Sequence, residues 1–146
     1  MIALLQRVRQ ASVEVEQHEI ARINQGLLVF IGVEQGDNPA QAERLLTKLL
    51  AYRIFEDPDE KMNLSLQDIK GGLLLVPQFT LAANTQKGLR PSFTNAAAPV
   101  LGEALFHHIC VIASQQHPVV EIGQFAADMQ VSLINDGPAT FWLQVT

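Results

Sequence analysis

Apolar residues in this chain follow two rhythms before any helix is reached. Strict alternation marks VEVE (13–16), MQVSLIN (129–135) and TFWLQV (140–145), the signature of half-buried strands. In the last of these, Phe141, Leu143 and Val145 fall on one face and Thr140, Trp142 and Gln144 on the other. Unbroken runs mark LLVFIGV (27–33) and LLLV (73–76), each placed behind a glycine-containing turn signal and too short for a free-standing helix. Such runs predict buried strands. A turn near 17–19 leads to IARI (20–23), and VVEIG (119–123) adds a further short strand.

Helical spacing appears twice. Asn38 before Pro39 offers a capping side chain and then a residue suited to a first turn. Ala42, Leu45, Leu46, Leu49 and Leu50 follow as one stripe, with Glu43, Arg44 and Lys48 largely away from it. Burying each leucine stabilises by roughly 1.5–3 kcal/mol before chain entropy is counted. A second helix is predicted from Pro99 to near Pro118, with Leu101, Ala104, Leu105, His108, Ile109 and Ile112 on its buried face. Strands and helices in this order predict one mixed α/β domain over residues 1–146.

Composition narrows the function classes. The chain is 48% hydrophobic and 17% charged, which is globular, and no apolar run approaches the roughly 20 residues of a membrane span. No basic stretch with a long apolar run and a cleavage site opens the sequence, and Cys110 is the sole cysteine. A reduced, cytoplasmic protein without an internal disulfide is expected. The net charge of −5 argues against a large nucleic-acid footprint, because phosphate neutralisation by cations supplies much of such affinity. It leaves room for an enzyme that holds only a terminal nucleotide.

Candidate chemistry centres on the end of the LLLV strand. Pro77 cannot donate to a sheet ladder, so the strand meets an edge, a bulge or its end there, and Gln78, Phe79 and Thr80 follow at once. Either the strand simply surfaces or freed polar groups build a rigid site. The tight turn at Asp136, Gly137 and Pro138, between two alternating runs, reads as an ordinary hairpin. Arg7 and Arg9 share one face, by default a solvated one. The polar loop NTQKGLRPSF (84–93) carries Lys87 and Arg90 and suits either solubility or contact with a phosphate or ribose. DPDE (57–60) lacks the spaced oxygen ligands of a calcium loop. His107 and His108 project about 100° apart on a helix, and no zinc-ligand spacing occurs, so no metal and no cofactor are expected. Thr80 is internal and has no evident base, which leaves no convincing protein nucleophile.

The opening IALLQRVRQASVEV, then YRIF (52–55), KMNLS (61–65), PQFTL (77–81), RPSF (90–93), FAADMQVSL (125–133) and NDGPAT (135–140) occur in an order that resembles the D-aminoacyl-tRNA deacylase family over essentially the whole chain. The family usually writes SQFTL where this chain has Pro77, and many relatives have a slightly larger small residue at Gly102. The resemblance implies two packed sheets, barrel-like, backed by two main helices. It also implies hydrolysis of D-aminoacyl-tRNA, and of glycyl-tRNA mischarged on tRNA(Ala), assisted by the 2′-hydroxyl of the terminal ribose. Backbone N–H groups of Phe79 and Thr80 would then stabilise the oxyanion, with Gln78, Met129 and Arg7 near the substrate. The glycine and proline matching Gly137 and Pro138 form a cis peptide that reaches into the partner's pocket and excludes an L side chain, which implies a homodimer. A non-catalytic dimeric ligand-binding domain and a Thr80-dependent esterase acting on small D-amino esters are the competing readings.

Overall fold

The computed structural model describes residues 1–146, and its organising element is one long strand. β1 (Ile2–Val15) is flanked on one side by two different partners and on the other by one. Its first half pairs antiparallel with β3 (Gly26–Gly32), its second half with β2 (His18–Ile23), and β8 (Gln130–Gln144) runs antiparallel along nearly its whole length. β6 (Gly72–Pro77) lies parallel to β3, and β7 (Val120–Ile122) parallel to β6. The result is a mixed, nearly closed sheet in the order β2-β1-β3-β6-β7, with β8 completing it beside β1.

Parallel neighbours require crossovers, and helices supply them. α1 (Pro39–Ala51) and the single turn α2 (Leu66–Ile69) lie between β3 and β6; α3 (Pro99–Gln116) lies between β6 and β7. A two-strand hairpin, β4 (Phe55–Glu56) with β5 (Met62–Leu64), sits within the first crossover. Its turn is closed by Asp57, whose carboxylate accepts from the Asp59 and Lys61 amides and from Asn63 Nδ2 at 2.8–3.0 Å. Led by the Asn63 bond, these hold the Asp57 carboxyl below its ordinary pKa. The acidic turn is thus occupied by its own donors.

α1 forms as its spacing predicts. Asn38 accepts from the Gln41 amide and Gln41 returns the bond to Asn38, a reciprocal cap, while the five stripe residues are fully buried. The buried face of α3 is rotated from the predicted one: Gly102, Leu105, Phe106, Ile109, Cys110 and Ala113 are buried, Ala104 is exposed and His108 is half-buried against Glu43. This helix is apolar nearly all round, so periodicity gave no sharp direction, and the bulky Phe106 settles against the sheet.

β6 is buried on both faces. Leu73 and Leu75 enter the large cluster beneath the helices, while Leu74 and Val76 join a smaller cluster with Val8, Val13 and Ile23. Its start passes so close to β3 that a Cβ on Gly26 would run into the Gly72 carbonyl.

The C-terminal segment departs from expectation. The two alternating runs are halves of one strand, and the chain does not reverse at Asp136–Pro138. Gln6 pairs with Thr140 and Val8 with Asn135, so residues 136–139 stand opposite Arg7 alone. The predicted hairpin turn is a wide bulge. Because β1 is 14 residues long, it has room beside it for both halves, and the surplus residues leave the ladder with Gly137 and Pro138 exposed and Ala139 buried.

Candidate functional site

Where β6 ends, the chain changes character. Pro77 closes the pairing with Ile31, the Gln78 amide donates to the Ile31 carbonyl at 2.8 Å, and Phe79–Ala82 then turn as a short 3-10 helix. The first amides of any helix have no carbonyl a turn earlier to bond. Within this turn region Leu81 donates to Gln78 and Ala83 to Thr80, but the Phe79 and Thr80 amides donate to no protein carbonyl. Both residues are exposed, Phe79 at 58%.

These amides sit at the edge of a pocket of about 500 Å³. Ile31 and Val33 come from the end of β3, Pro77, Gln78 and Phe79 from β6 and the turn after it, and Ala97, Pro99, Gly102 and Phe106 from α3 and its approach. Residues 125–129 and Val131 close the remaining wall. The lining is mostly hydrophobic, and Asp128 is its sole ionisable side chain. Gly102 faces Phe125, and a Cβ there would meet that ring at 3.6 Å, an ordinary contact.

The fold thus brings Gln78, Phe79 and Met129 together on the pocket wall. Thr80 stands beside them, its hydroxyl accepting from Gln78 Nε2 at 2.5 Å. Arg7, Gly137 and Pro138 gather elsewhere, at the β8 bulge. Arg7 is 5% exposed; its Nε donates to the Asp136 carbonyl at 3.0 Å and Nη1 to the Ile54 carbonyl at 2.8 Å. Asn135 Nδ2 donates to the carbonyls of Arg7 and Ala139, tying the two feet of the bulge together. Gly137 and Pro138, joined by a cis peptide bond, are exposed at its crest and line no part of this chain's own pocket.

No side-chain base is aimed at Thr80. His117 is buried against the Gly71 carbonyl, His108 meets Glu43, His18 meets the Glu16 carbonyl, and His107 is exposed on α3; none lines the pocket. Cys110 is buried within α3, and desolvation pushes its thiol up to about 12. The pocket walls from Ala97–Phe106 and residues 125–128 were not foreseen, because three remote segments meet there without a shared motif. Phe93 was missed for the same reason: it packs on Phe79 with ring centroids 5.1 Å apart.

Residues 4–144 match the family model described as D-Tyr-tRNA(Tyr) deacylase. A D-aminoacyl-tRNA deacylase of Thioalkalivibrio sulfidiphilus is 59% identical over 99% of this chain and 97% of its own length. One of Pseudomonas fluorescens is 60% identical over 99% of both. Among solved structures, one described as c-Myc DNA Unwinding Element Binding Protein superposes with a TM-score of 0.96 at 33% identity, covering 100% of this chain and 99% of that one. A probable eukaryotic D-amino acid tRNA deacylase shares the fold at a TM-score of 0.78 and 19% identity, covering 97% and 98%. No helix is long and apolar enough to cross a membrane.

Proposed function

The chain belongs to the D-Tyr-tRNA(Tyr) deacylase family, and from that premise we propose how its pocket and its bulge divide the work. It is a hydrolase that cleaves the ester of D-aminoacyl-tRNA, releasing the D-amino acid and tRNA. The observation that carries the mechanistic reading is the pair of unbonded amides at Phe79 and Thr80, beside a pocket with no histidine, cysteine or lysine in its lining.

An acyl ester attacked by water develops negative charge on its carbonyl oxygen, and fixed N–H donors stabilise that charge without reorganising. Phe79 and Thr80 supply the donors. The substrate supplies the rest: the hydroxyl vicinal to the ester is held at high effective molarity and activates the attacking water. Gln78 orients the Thr80 hydroxyl, and the apolar pocket with Met129 receives the terminal adenosine.

Selectivity is assigned to the bulge. L and D esters carry the same groups, so discrimination must come from a collision with the wrong side chain. Gly137 and Pro138 cannot supply it in their own chain, where they are exposed and away from the pocket. In a two-fold homodimer each bulge would enter the partner's pocket, giving two identical sites completed across the interface. The outer edge of β8, which pairs with no strand of this chain, is available for that contact. Arg7 then acts from behind, as the tether of the bulge, and not on the substrate. Glycyl-tRNA, including glycine mischarged on tRNA(Ala), lacks the Cβ that collides and passes the filter. A cytoplasmic location follows from the substrate.

Incubation of the purified protein with matched D- and L-tyrosyl-tRNA tests the reading. Release of D-tyrosine with survival of the L ester is expected. Equal loss of both would remove the filter, and survival of both with folded protein would favour a non-catalytic binding domain.

A further inference from the structure

We propose that the loop at residues 84–93 is the track for the nucleotides immediately 5′ of the esterified one, with Lys87 and Arg90 neutralising their phosphates and the Phe79–Phe93 pair offering a stacking surface. The proposal rests on the deacylase reading and names how that same site holds the single-stranded acceptor end.

Three observations converge. The first is charge distribution: the chain carries 15 acids, yet none lies between Asp68 and Glu103, the stretch that builds one wall of the pocket and this loop. Within it Lys87 and Arg90 are exposed and take part in none of the ion pairs, which involve Met1, Arg7, Arg22 and His108. In a molecule of net charge −5, a local patch of free cations is the place where a polyanion can approach.

The second is the aromatic pair. Phe79 lines the pocket, Phe93 packs against it with the two rings tilted by 59°, and the faces left open are accessible, Phe79 being 58% and Phe93 40% exposed. Exposed aromatic rings beside free cations are how proteins hold single-stranded nucleic acid irrespective of sequence: bases stack while the backbone follows the charges.

The third is that the loop is held in place. Asn84 and Ser92 exchange backbone hydrogen bonds at 2.7 and 3.3 Å, and the Gln86 amide bonds the Asn84 side chain. Arg90 lies three residues before Phe93, so its Cα is within about 11 Å of that of the stacking residue. Gly88, between Lys87 and Arg90, takes a left-handed φ of +72°, which the absence of a Cβ permits. The N-terminus of α3, whose Pro99 lines the pocket and whose cap residue Ala98 has no capping side chain, adds positive potential on the same side.

The test compares the unaltered protein with the double variant Lys87→Ala/Arg90→Ala on D-tyrosyl-tRNA across a salt series. Loss of two phosphate contacts should flatten the plot of log kcat/KM against log salt by about 1.4, twice the single-strand value per phosphate. At low salt KM should rise about ten-fold or more while kcat at saturation stays within about two-fold. The pair Lys87→Arg/Arg90→Lys should keep the slope, and Phe93→Leu should raise KM without changing it. An unchanged slope and KM in the alanine variant would overturn the proposal, as would an equal fall in kcat with the slope intact. Failure of the unaltered protein to release D-tyrosine would instead overturn the deacylase reading.

Discussion

Arg7 and Asp136 are joined twice across the bulge of β8: Nε of Arg7 donates to the Asp136 backbone carbonyl at 3.0 Å and stands 3.4 Å from its carboxylate. A buried guanidinium therefore fixes the base of a loop whose crest, Gly137–Pro138, is exposed. The same side chain reaches the Ile54 carbonyl, so it also ties the bulge to the chain leading into β4.

Replacing that tether should affect selectivity before it affects hydrolysis. Arg7→Lys keeps the charge but loses the planar fork that reaches two carbonyls. The ratio of D- to L-tyrosyl-tRNA turnover should fall about ten-fold, a change of about 1.4 kcal/mol. Arg7→Ala abandons both carbonyls and should destabilise the fold by about 3 kcal/mol, since each hydrogen bond to a charged group contributes roughly 1.5–3 kcal/mol. Thermal unfolding and paired D and L assays separate the two effects. An undiminished ratio in folded Arg7→Lys would show that the tether does not set the filter.

Gly137 has a local reason to be glycine apart from any substrate. A Cβ there would sit 2.9 Å from Asn135 Oδ1, and Asn135 is the residue that bonds both feet of the bulge. Gly137→Ala should push the Asn135 side chain aside and lower stability by roughly 0.5–1.5 kcal/mol, the contribution of one hydrogen bond lost between the feet of the bulge. Its D-ester activity should fall with it. Unchanged melting temperature and selectivity would contradict both roles.

Much of this geometry was legible in the sequence, and the limits are physical. α1 was legible down to its cap because Asn38, Pro39 and five stripe residues agree. β6 was legible as a strand buried on both faces because four large apolar residues follow a glycine pair. The bulge was not, because Asp-Gly-Pro between alternating runs has the same local chemistry whether the chain reverses or swells, and only the length of β1 decides. The pocket was legible only at its Gln78–Phe79 edge and at Met129, where a motif marked it; the α3 wall depends on a helix orientation that an all-round apolar sequence does not specify.

Gly102 tests the α3 wall. It is a helix-interior glycine with room for a methyl group, since the added Cβ would rest 3.6 Å from the Phe125 ring. Gly102→Ala should gain about 0.5–1 kcal/mol from the smaller loss of backbone freedom. The melting temperature should rise by up to about 4 °C. Activity should change less than about three-fold, because the methyl only trims the pocket. A fall in melting temperature would mean that the wall is tighter than its geometry indicates.

Cys110 predicts a pH dependence. Burial raises its thiol to about 12 from 9.0, so the folded protein holds this proton where the unfolded chain releases it. The contribution is fully present below pH 9 and is lost as pH rises toward the folded value, with a slope of at most about 1.4 kcal/mol per pH unit. Cys110→Ala should flatten that part of a urea-stability profile between pH 9 and 11. A thiol reagent at pH 8 should label the folded protein slowly and the urea-unfolded chain at once. Rapid labelling of folded protein would show that α3 opens.

The final prediction separates a protein nucleophile from one supplied by the substrate. Thr80 Oγ1 has one side-chain partner, Gln78 Nε2, which donates to it and cannot take a proton from it. A hydroxyl so placed has no base, whereas the Thr80 amide is free and directed by the 3-10 turn. Thr80→Ala keeps the amide and loses one side-chain hydrogen bond of roughly 0.5–1.5 kcal/mol. Turnover of D-tyrosyl-tRNA should therefore fall only about two- to twelve-fold. The complementary substrate is tRNA ending in 2′-deoxyadenosine, aminoacylated on its remaining 3′-hydroxyl. It should bind with similar affinity, measured by competition, yet react far more slowly with the unaltered enzyme, because the intramolecular hydroxyl is gone. A folded but inactive Thr80→Ala variant, together with a normal rate on the deoxy substrate, would reverse the assignment and make Thr80 the nucleophile.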